Sequence, residues 1–274
     1  MDIIHEKMKP GAFSPGIYDC YTNAEYHAHE AVSKSGLDLI HKSPAHYKYA
    51  VEHPKEPTPA LTFGIAAHKY ILEPDDFWKE YIELPKLDRR TKAGKESYQK
   101  ILDSGLTPIG TEDLSMIEDM RSAIEAHPTA SKLLLSGDHE VPIQWTDPDT
   151  GEACKCRLDC ITTYGGQEYI VDYKTTASCE DGVFERSCYK YGYKLQAAMY
   201  TEGAFNSRLV PYRFAFVAQE KTPPYAVRVY FCDDGFLEEG MEIYRELMDI
   251  YHRCRVFDEW PGYEDEELFG DERR

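Results

Sequence analysis

The sequence predicts a single α/β domain, a mixed central sheet flanked by helices with a helical N-terminal part. Three observations predict it. The segments before Gly137 read as capped helices, whereas those after it alternate apolar and polar with period two, in the order β-β-β-α-β-β-α. No segment repeats another. The 274 residues are 42% hydrophobic and 13% aromatic, enough for a sizeable core and against general disorder.

The elements follow in order. Residues 1–30 form an irregular lead-in punctuated by Pro10, Gly11, Pro15 and Gly16. Residues 32–40 make a short capped helix. Ser43 as N-cap, with Pro44 at the first helical position, opens a second helix to about residue 51. Three prolines mark residues 53–59 as a linker, and residues 61–72 form a helix with a stripe of Phe63, Ala66, Ala67, Tyr70 and Ile71. Helices at 112–127, stopped by Pro128, and at 129–135 complete a helical part spanning 31–136.

The α/β core spans 137–257, and the single domain therefore 31–257. Its first strands are 140–147, 154–164 and 168–174, joined by turns at Asp149-Thr150-Gly151 and Gly165-Gly166. A helix over 189–205, strands at 212–219 and 225–231, and a closing helix over 235–255 follow. The tail, 258–274, carries eight acids and reads as an interaction segment.

Lys plus Arg number 31 against 49 Asp plus Glu, a net charge of −18. That excludes a surface that grips nucleic acid by charge everywhere, while leaving room for a local basic groove. Such a groove is foreshadowed between residues 86 and 100, where Lys86, Arg89, Arg90, Lys92, Lys95 and Lys100 outnumber Asp88 and Glu96. No apolar run is long enough to cross a bilayer, and the opening MDIIHEKMKPG lacks the apolar core of a signal peptide. The expectation is a cytoplasmic protein with no membrane partner.

Eight cysteines fit that expectation as free thiols. Cys154, Cys156 and Cys160 share parity along one strand, so they would point the same way as small buried hydrophobes rather than curl round an ion.

The chemistry concentrates on the middle strands. The period of two puts Asp172 and Lys174 on one face and Val171 and Tyr173 on the other, and puts Asp159 opposite the cysteines. Across the Gly165-Gly166 hairpin, Asp159 and Asp172 can converge. Two close carboxylates repel unless a cation sits between them, and oxygen ligands suit Mg²⁺ or Mn²⁺. A lysine on the same face can orient water or offset charge building up on a phosphate. An Asp-x-Lys pair alone is often only a surface ion pair. Here it follows the apolar run Tyr169-Ile170-Val171 and a second aspartate at hairpin distance.

This pattern resembles the PD-(D/E)XK nuclease superfamily. Gly64-x-x-x-His68 and Gln196-x-x-x-Tyr200 are similar to motifs of its RecB-like branch. Ser33 to Leu37, Ser43-Pro44-Ala45-His46 and Asp88 to Lys95 resemble the RecE (exonuclease VIII) family of phage and prophage recombination nucleases. The resemblance covers about residues 30–220. It implies that His68, Asp159, Asp172 and the Tyr173 main-chain carbonyl bind Mg²⁺ or Mn²⁺, and that Lys174 positions or activates water. It further implies that Gln196 and Tyr200 hold DNA or brace the site, with Glu140 as an accessory acid. Arg89, Arg90, Lys92 and Lys95 are candidate DNA-phosphate contacts. The chain has no P-loop, so ATP is not expected, and Cys232 and Cys254 stand too far apart for the iron–sulfur cluster that some relatives carry. The implied activity is degradation of double-stranded DNA from its ends, 5′ to 3′. It would leave 3′ strands for a single-strand annealing protein, with the subunits in a closed homo-oligomeric ring. An endonuclease on the same core and a catalytically silent DNA-binding protein are the alternatives.

Overall fold

The computed structural model describes residues 15–18, 25–26, 29–54, 59–84, 90–208 and 210–263. Most of the predicted lead-in, the middle of the linker, Lys86, Arg89 and most of the acidic tail lie outside them.

Six strands form one sheet in the order β1-β4-β5-β6-β7-β8: β1 Gly16–Ile17, β4 Asp138–Thr146, β5 Ala153–Tyr164, β6 Gln167–Thr176, β7 Arg213–Glu220 and β8 Val227–Phe231. The pairs are antiparallel except β6 with β7, which run parallel. A parallel pair needs a crossover, and two helices supply it. They are the eighth and ninth helices in chain order, α8 Val183–Lys190 and α9 Tyr193–Arg208. The remaining helices are α1 Lys34–Lys42, α2 Pro44–Glu52, α3 Pro59–Leu72, α4 Pro74–Glu80, α5 Lys92–Asp103, α6 Thr111–Ala126, α7 Ala130–Leu134 and α10 Asp234–Phe257. A small parallel pair, β2 Tyr81–Leu84 with β3 Thr107–Gly110, stands apart from the main sheet.

Two helical layers bury the two faces of the sheet. Leu37 and Ile40 of α1, Leu195 and Met199 of α9, and Tyr244, Leu247 and Met248 of α10 pack on one face against Ile143, Trp145, Cys156 and Leu158. Ile71 and Leu72 of α3, Met120 and Ile124 of α6, and Leu133 and Leu134 of α7 pack on the other against Val171, Tyr173 and Val217. Ala66, Phe77, Tyr81, Ile109 and Ile117 form a satellite core under β2 and β3. Among the described residues no helix is long and apolar enough to cross a membrane.

The helix starts follow local chemistry. The Ser43 hydroxyl accepts from the His46 amide ahead of Pro44, Thr91 does the same for Gly94 at 3.0 Å, and Asp233 caps α10 through the Phe236 amide at 2.8 Å. One expectation is corrected. The predicted helix over 189–205 is two helices, because Gly192 takes φ +62° and ends α8 in the left-handed region that a glycine reaches without strain. The helix α4, the strands β2 and β3 and the amphipathic α5 were not among the expected elements.

The long α9 and α10 cross closely at Gly240. A Cβ there would stand 2.2 Å from the Lys194 carbonyl oxygen. Gly240→Ala is expected to cost about 1–3 kcal/mol by forcing the helices apart. A thermal melt checks this, and an unchanged midpoint would contradict so close a crossing.

Candidate active site

The β5–β6 hairpin sets the centre. Its register pairs Cys160 with Val171 and Ile161 with Ile170, so the next step beyond the last pair puts Asp159 opposite Asp172. Asp159 Oδ2 accepts a hydrogen bond from the Tyr173 amide at 2.8 Å, which fixes one carboxylate to the backbone that carries the other. On the other side of β5, the ladder to β4 runs from Thr146 to Val141, lapses at Glu140 and resumes at His139. Glu140 sits at φ +51°, a conformation that costs a β-carbon-bearing residue about 1–2 kcal/mol.

The pleat changes face at this lapse. Cys154, Cys156 and Leu158 belong to the α9–α10 core, but Cys160 belongs to the α3–α7 core, with Ile161 back on the first side. The expectation that all three cysteines share a face is therefore corrected: strict alternation cannot pass through Glu140 and Asp159. The described cysteines form no disulfide, and all but Cys232 are buried.

The distortion brings a donor set together. His68, Glu140 and Asp159 each place a ligand atom so that all lie within 4.8 Å of one another. His68 comes from α3, held with its ring centroid 4.9 Å from that of Tyr173 and facing the Tyr173 main-chain carbonyl. Asp172 lies outside this triad. It is 2% exposed, its Oδ2 is 2.6 Å from Lys174 Nζ, and its Oδ1 accepts from the Gln196 amide. Glu140, expected as an accessory, is thus central, and Gln196 braces Asp172. Tyr200, one turn further along α9, lines the same cleft.

The charges explain why the donors suit a cation. Burial pushes Asp172 up to about 6, with Lys174 opposing and Asp159 adding to the shift. Burial likewise pushes Glu140 up to about 7 although Arg157 Nε lies 2.7 Å away. Asp159 is raised for the same reason. Burial and the Lys174 charge hold His68 down, at about 4, so its ring is neutral at pH 7 and keeps a nitrogen lone pair. Two carboxylates that resist ionising and one neutral imidazole match Mn²⁺ or Mg²⁺ in donor type. Burial lowers Lys174, but Asp172 and Asp159 outweigh it and hold the amine above its ordinary value. Lys174 is therefore an ammonium, a donor of hydrogen bonds rather than a base.

These groups line a cleft of about 2840 Å³. Small-molecule pockets run to about 300–1,000 Å³, so the cleft has room for a polymer. Its lining mixes cations, among them Lys34, Lys155, Arg157 and Lys190, with acids such as Asp38, Glu73 and Glu152. The predicted phosphate contacts are elsewhere: Arg90, Lys92 and Lys95 are exposed around the start of α5 and do not line the cleft, and Arg89 lies outside the described residues. Arg157 was missed although period two sets it on the same face as Asp159. Lys34 lies in the Ser33 to Leu37 motif but was given no role, since only tertiary folding brings α1 to the cleft.

Residues 33–269 match the model of a family described as a PDDEXK-like domain of unknown function (DUF3799). The solved structure of a candidate exonuclease from Eubacterium rectale superposes with a TM-score of 0.62, at 18% identity, over 88% of this chain and 89% of that one. That likeness is one of fold. SSO0001 (TM-score 0.36, 12% identity, 81% and 76% covered) and VC1899 from Vibrio cholerae (0.21, 13%, 86% and 61%) are too remote to bear on it. No curated protein matches the chain.

Proposed function

The chain belongs to the PDDEXK-like family DUF3799, and we propose that it is a divalent-cation-dependent nuclease that hydrolyses double-stranded DNA from its ends. The observation that carries the reading is the convergence of His68, Glu140 and Asp159 within 4.8 Å, beside the Asp172–Lys174 pair, on the wall of a polymer-sized cleft. The fold shared with a candidate exonuclease supports it.

His68, Glu140 and Asp159 would hold Mg²⁺ or Mn²⁺, with Asp172 and the Tyr173 carbonyl alongside. A divalent cation held there neutralises phosphate charge and makes water more acidic. The chain's own groups do the rest. Lys174, an ammonium, donates to the attacking water or to a non-bridging phosphate oxygen as negative charge builds there. The water oxygen gives a proton to solvent as it forms its bond to phosphorus, the bond to the departing sugar oxygen breaks, and that oxygen takes up a proton from solvent. Gln196 keeps the Asp172 carboxylate oriented, and Arg157 partly offsets the acids that the site gathers.

The finer reading follows the resemblance to the RecE family: 5′ to 3′ digestion, a 3′ strand passed to an annealing protein, and subunits closed into a ring. A net charge of −18 suits such an assembly, with acidic outer walls repelling DNA and the cations kept within the cleft.

The test is digestion of end-labelled linear duplex and closed circular DNA in Mg²⁺, in Mn²⁺ and in EDTA. Loss of linear DNA alone, and only with metal, is expected. Cut circles would replace the end-dependent reading with an endonuclease. No cleavage in either metal would overturn the enzyme.

A further inference from the structure

Beside the catalytic lysine a file of aromatic and cationic side chains runs out to the surface. Lys174 Nζ stands 5.0 Å from the Tyr193 ring centroid, Tyr193 is 5.9 Å from Tyr191 with the rings tilted by 32°, and Lys190 Nζ lies 5.0 Å over the Tyr191 ring. Tyr191 is 51% exposed and Tyr189 is 90% exposed. Single exposed aromatics are ordinary. These two differ because both line the cleft, and because Tyr191 belongs to the file that ends at Lys174.

The turn that presents them is clamped. Lys34 donates to the Tyr191 carbonyl and pairs with Asp38 at 2.7 Å, so α1 grips the backbone between α8 and α9. Gly192 is confined by the same aspartate: a Cβ there would meet Asp38 Oδ1 at 2.9 Å. The clamp preorganises the ring, and preorganisation cuts the cost of binding a flat ligand.

We infer that Tyr191, with Tyr189 beside it, is a stacking platform for an unpaired nucleobase of the strand entering the active site. This inference rests on the nuclease reading and deepens it. Aromatic faces accept any base, and cations follow the backbone, the combination that single-strand binding requires. Lys190 supplies the charge next to the rings. The DNA end is then taken as a splayed strand, with one base on Tyr191 while its neighbouring phosphate reaches Lys174.

The experiment is a coupling cycle read by single-turnover release of the labelled end. Wild type, Tyr191→Ala, Tyr191→Trp and Tyr189→Ala are each given linear duplexes with one abasic site at each of the first four nucleotides of the digested strand. In the wild type, one abasic position is expected to lower kcat/KM by about 5- to 150-fold. Tyr191→Ala should lose a similar factor on intact DNA and be indifferent to that abasic site. Tyr191→Trp should keep both rate and sensitivity, because stacking needs the ring and not the hydroxyl. A wild type that cleaves but senses no abasic position, or a Tyr191→Ala variant as sensitive as wild type, would overturn the platform alone. A wild type that cleaves nothing overturns the nuclease reading instead.

Discussion

Lys174→Met is expected to lower turnover by about 10²–10³-fold while leaving affinity for Mn²⁺ unchanged or higher. The two readouts separate because Lys174 bears a positive charge beside the acids. Removing it takes a hydrogen-bond donor from the reacting phosphate, yet also removes a repulsion that a bound cation would feel. Single-turnover cleavage and Mn²⁺ titration check the pair of outcomes, and metal affinity falling together with rate would count against a role for Lys174 at the phosphate.

The same substitution exposes the pairing energetics. Asp172 is 2% exposed and Lys174 Nζ is 2.6 Å from it, so methionine leaves a buried carboxylate without its counter-charge. Breaking one side of a buried pair costs about 3–5 kcal/mol. The fold already holds Asp172 up at about 6, above its ordinary value. A raised carboxyl contributes its full stability below the unfolded pKa and loses it as pH climbs through the folded one. Without Lys174 the folded value rises further. Metal-free Lys174→Met should therefore melt well below wild type at pH 8 and close to it at pH 5, and adding Asp172→Asn should restore most of the loss.

What the sequence made legible was local. The hairpin at Gly165-Gly166 and the parity of Asp172 with Lys174 follow from short-range rules, and they placed Asp159 opposite Asp172. The helix from Ser43-Pro44 was readable from its cap. The rest depended on contacts far apart in the chain. Glu140 looked peripheral because nothing in its neighbours announces a φ of +51°, and only that distortion turns its carboxylate toward Asp159 and His68. The same distortion moved Cys160 to the other face, where period-two reasoning could not follow. Gly192 did carry a breaker signal, but it lay inside an otherwise helical run, so one helix was read where two exist. The basic stretch around α5 was legible as charge and not as place. It does not line the cleft, and cations that do, such as Arg157 of β5, Lys34 of α1 and Lys190 of α8, come from elements that no spacing in the sequence connects.

Glu140→Gln should remove most of the metal response, and its signature is a dependence on pH. Glu140 is pushed up to about 7 in the fold from an ordinary value near 4.5. Its ionisation therefore destabilises the metal-free protein as pH rises through that range, by up to about 3 kcal/mol at 1.36 kcal/mol per unit. His68, held at about 4, acts in the opposite sense, since the unfolded chain binds its proton below about 6.5 and the fold refuses it. The two slopes oppose each other between pH 4.5 and 6.5, so the wild-type melt alone cannot isolate either. The difference between Glu140→Gln and wild type can. Loss of the Arg157 ion pair shifts that difference at the pH values where Glu140 is charged, and the pair is already counted in the raised value. Without metal, the variant should gain on wild type as pH goes from 5 to 8. With Mn²⁺ at about 100 times its dissociation constant, wild type should gain about 2.7 kcal/mol at pH 8 and progressively less toward pH 5, where protons hold the acids. The variant should gain little at any pH. A difference independent of pH would mean that Glu140 is solvated and ionised throughout, and that the cation is held by His68, Asp159 and Asp172 without it.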